Sequence, residues 1–298
     1  MRFDDFKEEI QHRIKDYLPE QYKEAECSCE AILKNNGIHL TGLMVKLPTD
    51  RATAMIYLED YYAAYESGKE IEGILADLAK IVPIHRPDLD NVIEDLFDVN
   101  IIRDKIVYRL INRETNEELL SEVPHRNIAD LAVVYDILLK TEEERTATIQ
   151  IRNEMMDRLG LTEKELHRLA EVNTPALRPL MFRSIEEMLP TVQSPKLHPD
   201  RLPMYVVTSR QMINSAAVLL YPEFDDVAIK RLGEYYILPS STHEVIVVPK
   251  EGMEGRYLKQ MVQEINRTMV TPEEYLSDNI YEIADKRIKI VETLEKVA

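Results

Sequence analysis

The sequence contains few glycines and cysteines, and each shortage excludes a class of site. Only eight glycines occur among 298 residues, and none of them belongs to a GxGxxG or Walker A phosphate-binding motif. Nucleotide binding by those two routes is therefore excluded. The two cysteines, Cys27 and Cys29, are too few for a disulfide framework and fit a reducing compartment.

Long hydrophobic runs are also missing. No stretch reaches the roughly 18 apolar residues that a membrane span requires. The first residues, MRFDDFKEEIQHRIKDYL, are acidic and have spaced apolar positions, unlike the basic start and continuous apolar core of a secretory signal. We therefore expect a cytoplasmic protein that has no membrane partner.

Acidic side chains outnumber basic ones by 54 to 37, which gives a net charge of −17. A field of this sign repels the phosphate backbone of nucleic acids. The longest basic cluster, Lys286-Arg287-Ile288-Lys289, is short and is flanked by acidic residues. We therefore expect no nucleic-acid partner.

The first hundred residues are predicted to form helices around a β-hairpin. Apolar residues spaced three and four apart predict an amphipathic helix that ends before Pro19, and they are Phe3, Phe6, Ile10, Ile14 and Tyr17. Two strands follow around Asn35-Asn36-Gly37, residues that accept a positive φ in a turn. Ile56, Tyr57 and Tyr65 then predict a helix ending at Gly68, and a further helix is predicted from Ile71 to Val82.

Three strands and a well-specified helix are predicted beyond residue 100. The strands are KIVYRLIN, LAVVYDILL and TATIQIR, which are rich in Val, Ile and Tyr. Thr162 with Glu165 forms a capping box that starts the next helix. Prolines concentrated between residues 173 and 203 predict a linker with a short helix from Ser184 to Leu189. The segment from His85 to Asp104 is predicted to connect two lobes through a short helix.

The last third again alternates strands with helices. The predicted strands are Met204–Thr208, Ala216–Leu220, Tyr235–Leu238 and Val245–Val248. The predicted helices are Asp225–Leu232, one with Tyr257 to Met269 on one face, and one starting at Thr271. This order predicts an α+β fold with mixed or antiparallel sheets and packed helices. Its domains are residues 1–100 and 101–298, or alternatively one composite domain of residues 1–298.

The segment YYILPSSTHEVIVVP places polar residues 240–244 between two apolar strands. A nucleophile, histidine and acid built from Ser241, His243 and Glu244 is unsatisfactory, because neighbouring strand residues point to opposite faces. His243 remains a candidate general base if an acid from another segment orients its ring. In the alternative interpretation, the hydroxyls of Ser240, Ser241 and Thr242 bond to the backbone and build the turn.

No metal or cofactor is indicated. Cys27 and Cys29 share one face of a predicted strand, but with His39 they make three zinc ligands, whereas a structural zinc site requires four. The seven histidines show no HExxH spacing. Buried, unreactive thiols are the simpler interpretation of the cysteines. The tyrosines of IYLEDYYAAYESG are compatible with a recognition surface, but their spacing favours core packing.

Six segments in their order resemble the domain-of-unknown-function 5688 family. They are LTGLMVKLPTDRATAMIYLEDYYAAYESG, LLSEVPHRNIADLAVVYDILL, LTEKELHRLAEVNTP, MYVVTSR with SAAVLLYP, YYILPSSTHEVIVVP and LKQMVQEINRTMVTPEEYLSDNIYE. The resemblance is specific at residues 238–245 and at Leu276-Ser277-Asp278 with Tyr281, and it departs at Ser215, where the family has glycine. The chain resembles more remotely the domain-of-unknown-function 1444 family.

The resemblance implies an uncharacterised protein of gut Firmicutes, encoded near mobile elements and with no established activity. We therefore expect a non-enzymatic binding or accessory factor with a protein partner. The alternative is a hydrolase or transferase with His243 as general base. The candidate binding residues are Ser240, Ser241, Thr242, His243, Asn173 and Asp278; no catalytic residue and no small-molecule ligand can be assigned.

Overall fold

The computed structural model describes residues 1–50, 55–82, 98–142, 145–188 and 203–292, with the backbone alone at 140–142, 145, 146 and 186. The chain divides into two compact units. One consists of Met1–Lys34 and Ile38–Asp98, and the other of Asn35–Gly37 and residues 99–298. The choice between two domains and one composite domain remains a prediction.

The first unit contains a three-stranded antiparallel sheet in the order β1-β2-β3. Its strands are β1 (Glu26–Leu33), β2 (His39–Lys46) and β3 (Met55–Tyr57). The predicted β-hairpin is confirmed, because β1 pairs with β2 over its whole length and Asn36 and Gly37 have φ values of 61° and 68°. The prediction of helix at Ile56 and Tyr57 is wrong. Ile56 pairs with Leu43 across β2 and β3, and this pairing overrides the helical spacing.

Among the described residues of this unit, three helices pack together, namely α1 (Phe3–Tyr17), α2 (Glu59–Glu66) and α3 (Ile71–Ile81). The predicted amphipathic helix α1 is confirmed, since Phe6, Ile10 and Ile14 are fully buried. The ring centroids of Tyr62 and Tyr65 lie 5.3 and 5.6 Å from that of Phe6. These two tyrosines therefore contribute to packing, as their spacing favoured.

A four-stranded antiparallel sheet opens the second unit. Its strands are β4 (Ile106–Asn112), β5 (His125–Ile128), β6 (Leu131–Glu142) and β7 (Arg145–Gln150). The order is β4-β6-β5, and β7 also pairs with β6. The three strands predicted beyond residue 100 are thereby confirmed. Residues 83–97, most of the predicted connection between lobes, lie outside the described residues.

Four helices accompany this sheet, namely α4 (Val99–Ile102), α5 (Glu117–Glu122), α6 (Asn153–Leu159) and α7 (Glu163–Leu177). The predicted capping box of α7 is confirmed. Glu165 N–H donates to Thr162 Oγ1 at 3.3 Å, and Thr162 N–H donates to Glu165 Oε2 at 2.9 Å. Helix α7 packs along β4, and Thr174 Oγ1 accepts a bond from Tyr108 N–H at that strand.

A six-stranded antiparallel sheet completes the second unit in the order β13-β12-β10-β11-β9-β8. Its strands are β8 (Leu180–Ser184), β9 (Tyr205–Ser209), β10 (Tyr235–Ser241), β11 (Glu244–Pro249), β12 (Tyr281–Ala284) and β13 (Arg287–Ile290). Its helices are α8 (Ile185–Met188), α9 (Phe224–Leu232) and α10 (Gly255–Met269). Strand β11 is central, with Val245, Val247 and Val248 fully buried. The predicted α+β class is confirmed, and every strand pair in the described ranges is antiparallel.

Three predictions in this unit are wrong. The apolar run Ala216–Leu220 lies in a 3-10 helix, Ser215–Leu220, because a short buried run has no periodicity that separates strand from helix. Thr271 starts a single turn rather than a helix, since the following residues are held by contacts described below. The proline-rich segment is not a linker throughout, because it contains the end of α7 and strand β8, but its predicted short helix is confirmed as α8. Its residues 189–202 lie outside the described part of the chain.

Candidate functional site

The reversal between β10 and β11 holds four of the predicted site residues. Ser240 and Ser241 end β10, and Thr242 and His243 form the turn before Glu244. The strand register shifts between Pro239 and Ser241. Ser241 Oγ accepts a hydrogen bond from His243 N–H at 3.0 Å, so the serine hydroxyl builds the turn.

Both ring nitrogens of His243 have partners. Nδ1 accepts a hydrogen bond from the backbone N–H of Asn214 at 3.0 Å. Nε2 lies 3.3 Å from Oε1 of Glu274. Because a backbone N–H can only donate, Nδ1 carries a lone pair and the ring proton lies on Nε2, facing the carboxylate. The acid that could not be found near His243 in the sequence thus comes from the segment after α10.

The backbone of the turn is bonded to three other segments. Thr242 N–H donates to the carbonyl of Glu274 at 2.9 Å, and Ala216 N–H donates to the carbonyl of Thr242 at 3.0 Å. Thr208 Oγ1 in β9 donates to the carbonyl of His243 at 2.9 Å. These bonds fix the turn and leave Thr242 almost fully buried.

The Asn214 backbone that donates to His243 is itself unusual. Asn214 has a φ of 51°, and the nearby Met212 has a φ of 56°. Positive φ at residues other than glycine is uncommon, although asparagine tolerates it best. Ser209 and Ser215, at the two ends of this loop, share a hydrogen bond of 2.6 Å between their hydroxyls. The loop is therefore held in the conformation that aims Asn214 N–H at His243.

Ser240 has a weaker contact than the other turn residues. Its Oγ donates to Glu244 Oε1 at 3.3 Å, and both side chains are partly exposed. Ser240 and His243 are both partly exposed and are therefore accessible to a partner.

The other two predicted site residues are engaged elsewhere. Asn173 Nδ2 on α7 donates to the carbonyls of Arg103 and Ile106 at 2.7 and 3.0 Å. Asp278 Oδ1 accepts from Asn266 Nδ2 at 2.8 Å. Within the described ranges no hydrogen bond or ion pair joins either residue to Ser240–His243. The structure therefore does not bring the six predicted residues into one bonded cluster.

Asp130 gathers the residues of the second family-specific segment. Its carboxylate accepts bonds from Ser277 Oγ at 2.6 Å, Tyr281 OH at 2.8 Å and Asn279 Nδ2 at 3.0 Å. Ser277 and Tyr281 are fully buried, and burial raises the pKa of Tyr281 well above its ordinary value. Sequence reasoning missed Asp130, which is separated from these partners by about 150 residues in the chain.

A second buried polar cluster lies in the four-stranded sheet. Arg109 Nε donates to Asp136 Oδ2 at 3.1 Å, and Asp136 is 1% exposed. Arg178 follows α7 and is 2% exposed. Its Nε, Nη1 and Nη2 are buried and have no hydrogen-bond partner among the described residues. In the sequence, Arg178 is a single arginine between Leu177 and Pro179, and nothing in this pattern indicates that it is buried.

The two cysteines lie on β1 and pack against the core of the first unit. Burial raises the pKa of the Cys27 thiol, and it raises that of Cys29 to about 11. Both therefore stay protonated near neutral pH and are poor nucleophiles. The described residues include no group of three or more His, Cys, Asp or Glu side chains arranged to hold a metal ion. None of the described helices has the length and apolar character to cross a membrane.

Comparison with known families assigns nearly the whole chain to one of them. The family model described as "Family of unknown function (DUF5688)" matches residues 3–283. No curated protein and no solved structure matches the chain. The matched range includes the turn at Ser240–His243, the Asp130 cluster and Arg178.

Proposed function

The chain belongs to the DUF5688 family of unknown function, and we propose that it is a non-enzymatic factor that binds another protein. The bonding of His243 is the observation that carries this proposal. A general base needs a lone pair within reach of a substrate proton. The lone pair of Nδ1 is occupied by Asn214 N–H, and Nε2 carries the proton facing Glu274.

Helix α10 supplies the apolar part of the binding surface. Tyr257, Met261, Ile265 and Met269 follow one another at steps of four and share one side of the helix, the α10 stripe. Tyr257 is 62% exposed and Met269 is 79% exposed. Ile265 is also exposed, whereas Met261 packs partly against the core. Exposed apolar residues on one side of a helix are typical of protein interaction sites.

The α10 stripe and the turn lie close enough to belong to one interface. Helix α10 ends at Met269, and Glu274, five residues later, contacts both Thr242 and His243. Five residues span at most about 18 Å. A standard interface covers about 800 Å² on each partner, so one partner can contact Met269 and His243 together. The apolar stripe with a polar neighbour corresponds to the apolar centre and polar rim of such interfaces.

The charge of the chain favours a partner with a basic surface. The net charge of −17 attracts positively charged proteins and accelerates their association. The finer expectation, an accessory factor of a mobile element, rests on the family resemblance alone. The same charge argues against a nucleic-acid partner, as stated above.

A pull-down from the native cytoplasm tests the proposal. Met269→Glu places a charge on the α10 stripe, whereas Val172→Glu makes the same change at a 68% exposed position on α7. We expect a basic protein that binds the purified wild type and Val172→Glu directly but binds Met269→Glu at least about tenfold more weakly. Equal binding to all three proteins, or no direct binding, would contradict the proposal.

A hydrolase or transferase remains the second candidate. The Glu274 carboxylate, 3.3 Å from Nε2 of His243, is the carboxylate and imidazole pair that orients a catalytic histidine. This function requires a substrate to replace Asn214 N–H at Nδ1. Turnover of an ester or phosphoester by the wild type that falls about a hundredfold or more in both His243→Ala and Glu274→Gln would establish it.

A further inference from the structure

The Arg178 guanidinium is a buried charge whose donors are unused. Arg178 is 2% exposed, and none of its three side-chain nitrogens has a hydrogen-bond partner within the described ranges. An arginine presents five N–H donors and stays protonated in proteins. Burial lowers the pKa of Arg178, with partial compensation by Asp136. A charge that is buried without a partner costs free energy, and an acceptor brought to it recovers part of that cost.

The neighbouring carboxylate does not meet this need. Asp136 is 1% exposed, and its Oδ2 accepts the Arg109 Nε bond at 3.1 Å. No ion pair joins Asp136 to Arg178 in the described part of the chain, although Asp136 is close enough to act on the charge of Arg178. Two guanidinium groups against one carboxylate leave one positive charge. A single bound anion would neutralise it.

A second unused donor lies beside Asp136. Gln150 on β7 is the direct cross-strand partner of Asp136 on β6, so the two side chains share one face of the sheet. Gln150 Nε2 is buried and has no acceptor among the described residues. Two separate elements therefore carry unused donors: strand β7 has Gln150 beside Asp136, and the end of α7 has Arg178, which is close enough to Asp136 to be affected by its charge. Both need acceptor oxygens, which an anion provides.

We propose that Arg178 anchors a buried site for one small oxyanion, a carboxylate or a phosphate group, with Gln150 as a second donor. The planar guanidinium binds either group through two parallel hydrogen bonds. A cleft of about 730 Å³ in the second unit is lined by Tyr221, whose OH donates to the carbonyl of Arg178 at 2.8 Å. Tyr221 thus connects the wall of the cleft to the backbone of Arg178. The site does not depend on the proposed protein partner.

Thermal unfolding of the full chain in acetate-free and phosphate-free buffer tests the site. Sodium phosphate and sodium acetate are titrated separately, with sodium chloride at the same ionic strength as the reference. We expect one or both oxyanions to raise the Tm of the wild type in a saturable way beyond the effect of chloride. A response to phosphate alone or to acetate alone identifies the group that the site accepts.

Variants separate this site from general anion effects. Arg178→Met abolishes the rise in Tm caused by the oxyanion. Arg178→Lys weakens anion binding by about tenfold or more, because an ammonium group cannot form the two parallel hydrogen bonds of a guanidinium. Arg183→Met, the same change at an exposed arginine of β8, keeps the wild-type response. If Arg178→Met does not fold, Arg178→Lys and Gln150→Leu provide the comparison, and each must respond more weakly than the wild type.

Two results would overturn the proposal. The first is the absence of any shift with phosphate and acetate beyond that with chloride. The second is an equal shift in the wild type and in the Arg178 variants, which would assign the effect to the surface. Neither result bears on the protein partner, because the test of that partner uses Met269 and a different measurement.

Discussion

The turn at Ser240–His243 and the cluster around Arg178 contrast two uses of polar residues within the second unit. Both place polar side chains next to buried strands. In the turn, the ring nitrogens of His243 and the backbone groups described above have partners. In the cluster, the guanidinium of Arg178 has none among the described residues. A polar group whose bonds are complete stabilises the fold, whereas an incomplete one points to a ligand.

The largest expected effect comes from removing the acidic member of the cluster. Asp136→Asn leaves the buried Arg178 and the partly buried Arg109 without a compensating carboxylate, and we expect a loss of about 3–5 kcal/mol in the free energy of unfolding. Urea unfolding followed by tyrosine fluorescence measures it, since the chain has 15 tyrosines and no tryptophan. Asp157→Asn on the exposed side of α6 serves as the control, with a change under about 0.5 kcal/mol. Similar midpoints for the two variants would mean that Asp136 does not balance the arginines.

Arg178→Met should increase the free energy of unfolding, in contrast to Asp136→Asn. It removes an unpaired buried charge, keeps the apolar bulk and leaves Arg109 paired with Asp136. In buffer without oxyanions we expect a gain of about 1–4 kcal/mol, as found when buried charges are replaced by apolar residues. The same urea experiment detects it. A loss of stability would show that Arg178 is already satisfied in the ligand-free protein.

His243→Ala should have a smaller effect in the turn. The backbone N–H of Asn214 loses its acceptor, and the loss of one such bond costs about 1 kcal/mol. Thermal unfolding measures the decrease in stability. His243→Asn offers a conservative comparison, because its side-chain oxygen can accept a bond from Asn214 N–H. Wild-type stability of His243→Ala would mean that this bond does not hold the loop.

Ser240→Ala should change stability least. The Ser240 hydroxyl has a long contact of 3.3 Å to Glu244 and is partly exposed. We expect a change below about 0.5 kcal/mol in the free energy of unfolding, which is typical of surface substitutions.

Ser277→Ala provides the comparison for Ser240→Ala. It removes the 2.6 Å bond from a fully buried hydroxyl to Asp130 and should lower the free energy of unfolding by about 1–3 kcal/mol. Equal costs at positions 240 and 277 would contradict the assigned difference in burial.

Local patterns were enough to predict the turn and most elements around it. The polar residues 240–243 interrupt two apolar runs, which gave both strands and their reversal. The capping box at Thr162 and the positive φ of Asn36 and Gly37 were likewise readable from a few neighbouring residues. These features depend on contacts between residues close in sequence.

Contacts between distant residues were not predictable. Thr271 looked like the start of a helix, but Leu276 is buried and Ser277 is bonded to Asp130, and these contacts hold the chain away from helical geometry. Ser215–Leu220 is an apolar run whose backbone is bonded to the turn through Ala216 rather than to a strand ladder. Strands β12 and β13 were missed for the same reason, since Tyr281 pairs with Ile237.

The Arg178 cluster was the part of the site least accessible to sequence reasoning. Its three charged members lie on β4, on β6 and beyond the end of α7. No spacing connects them, and each arginine resembles an ordinary surface residue in the sequence. Arg178 follows helix α7, which packs against β4, and its burial depends on contacts between segments that are distant in the sequence.

The contrast between the bonded turn and the unbonded Arg178 is tested most directly by urea unfolding. The midpoints of Arg178→Met and His243→Ala are compared with that of the wild type, all in oxyanion-free buffer. The structure predicts shifts of opposite sign, with Arg178→Met above the wild type and His243→Ala below it. A decrease in both midpoints would contradict the contrast, because it would mean that Arg178 stabilises the ligand-free fold as His243 does.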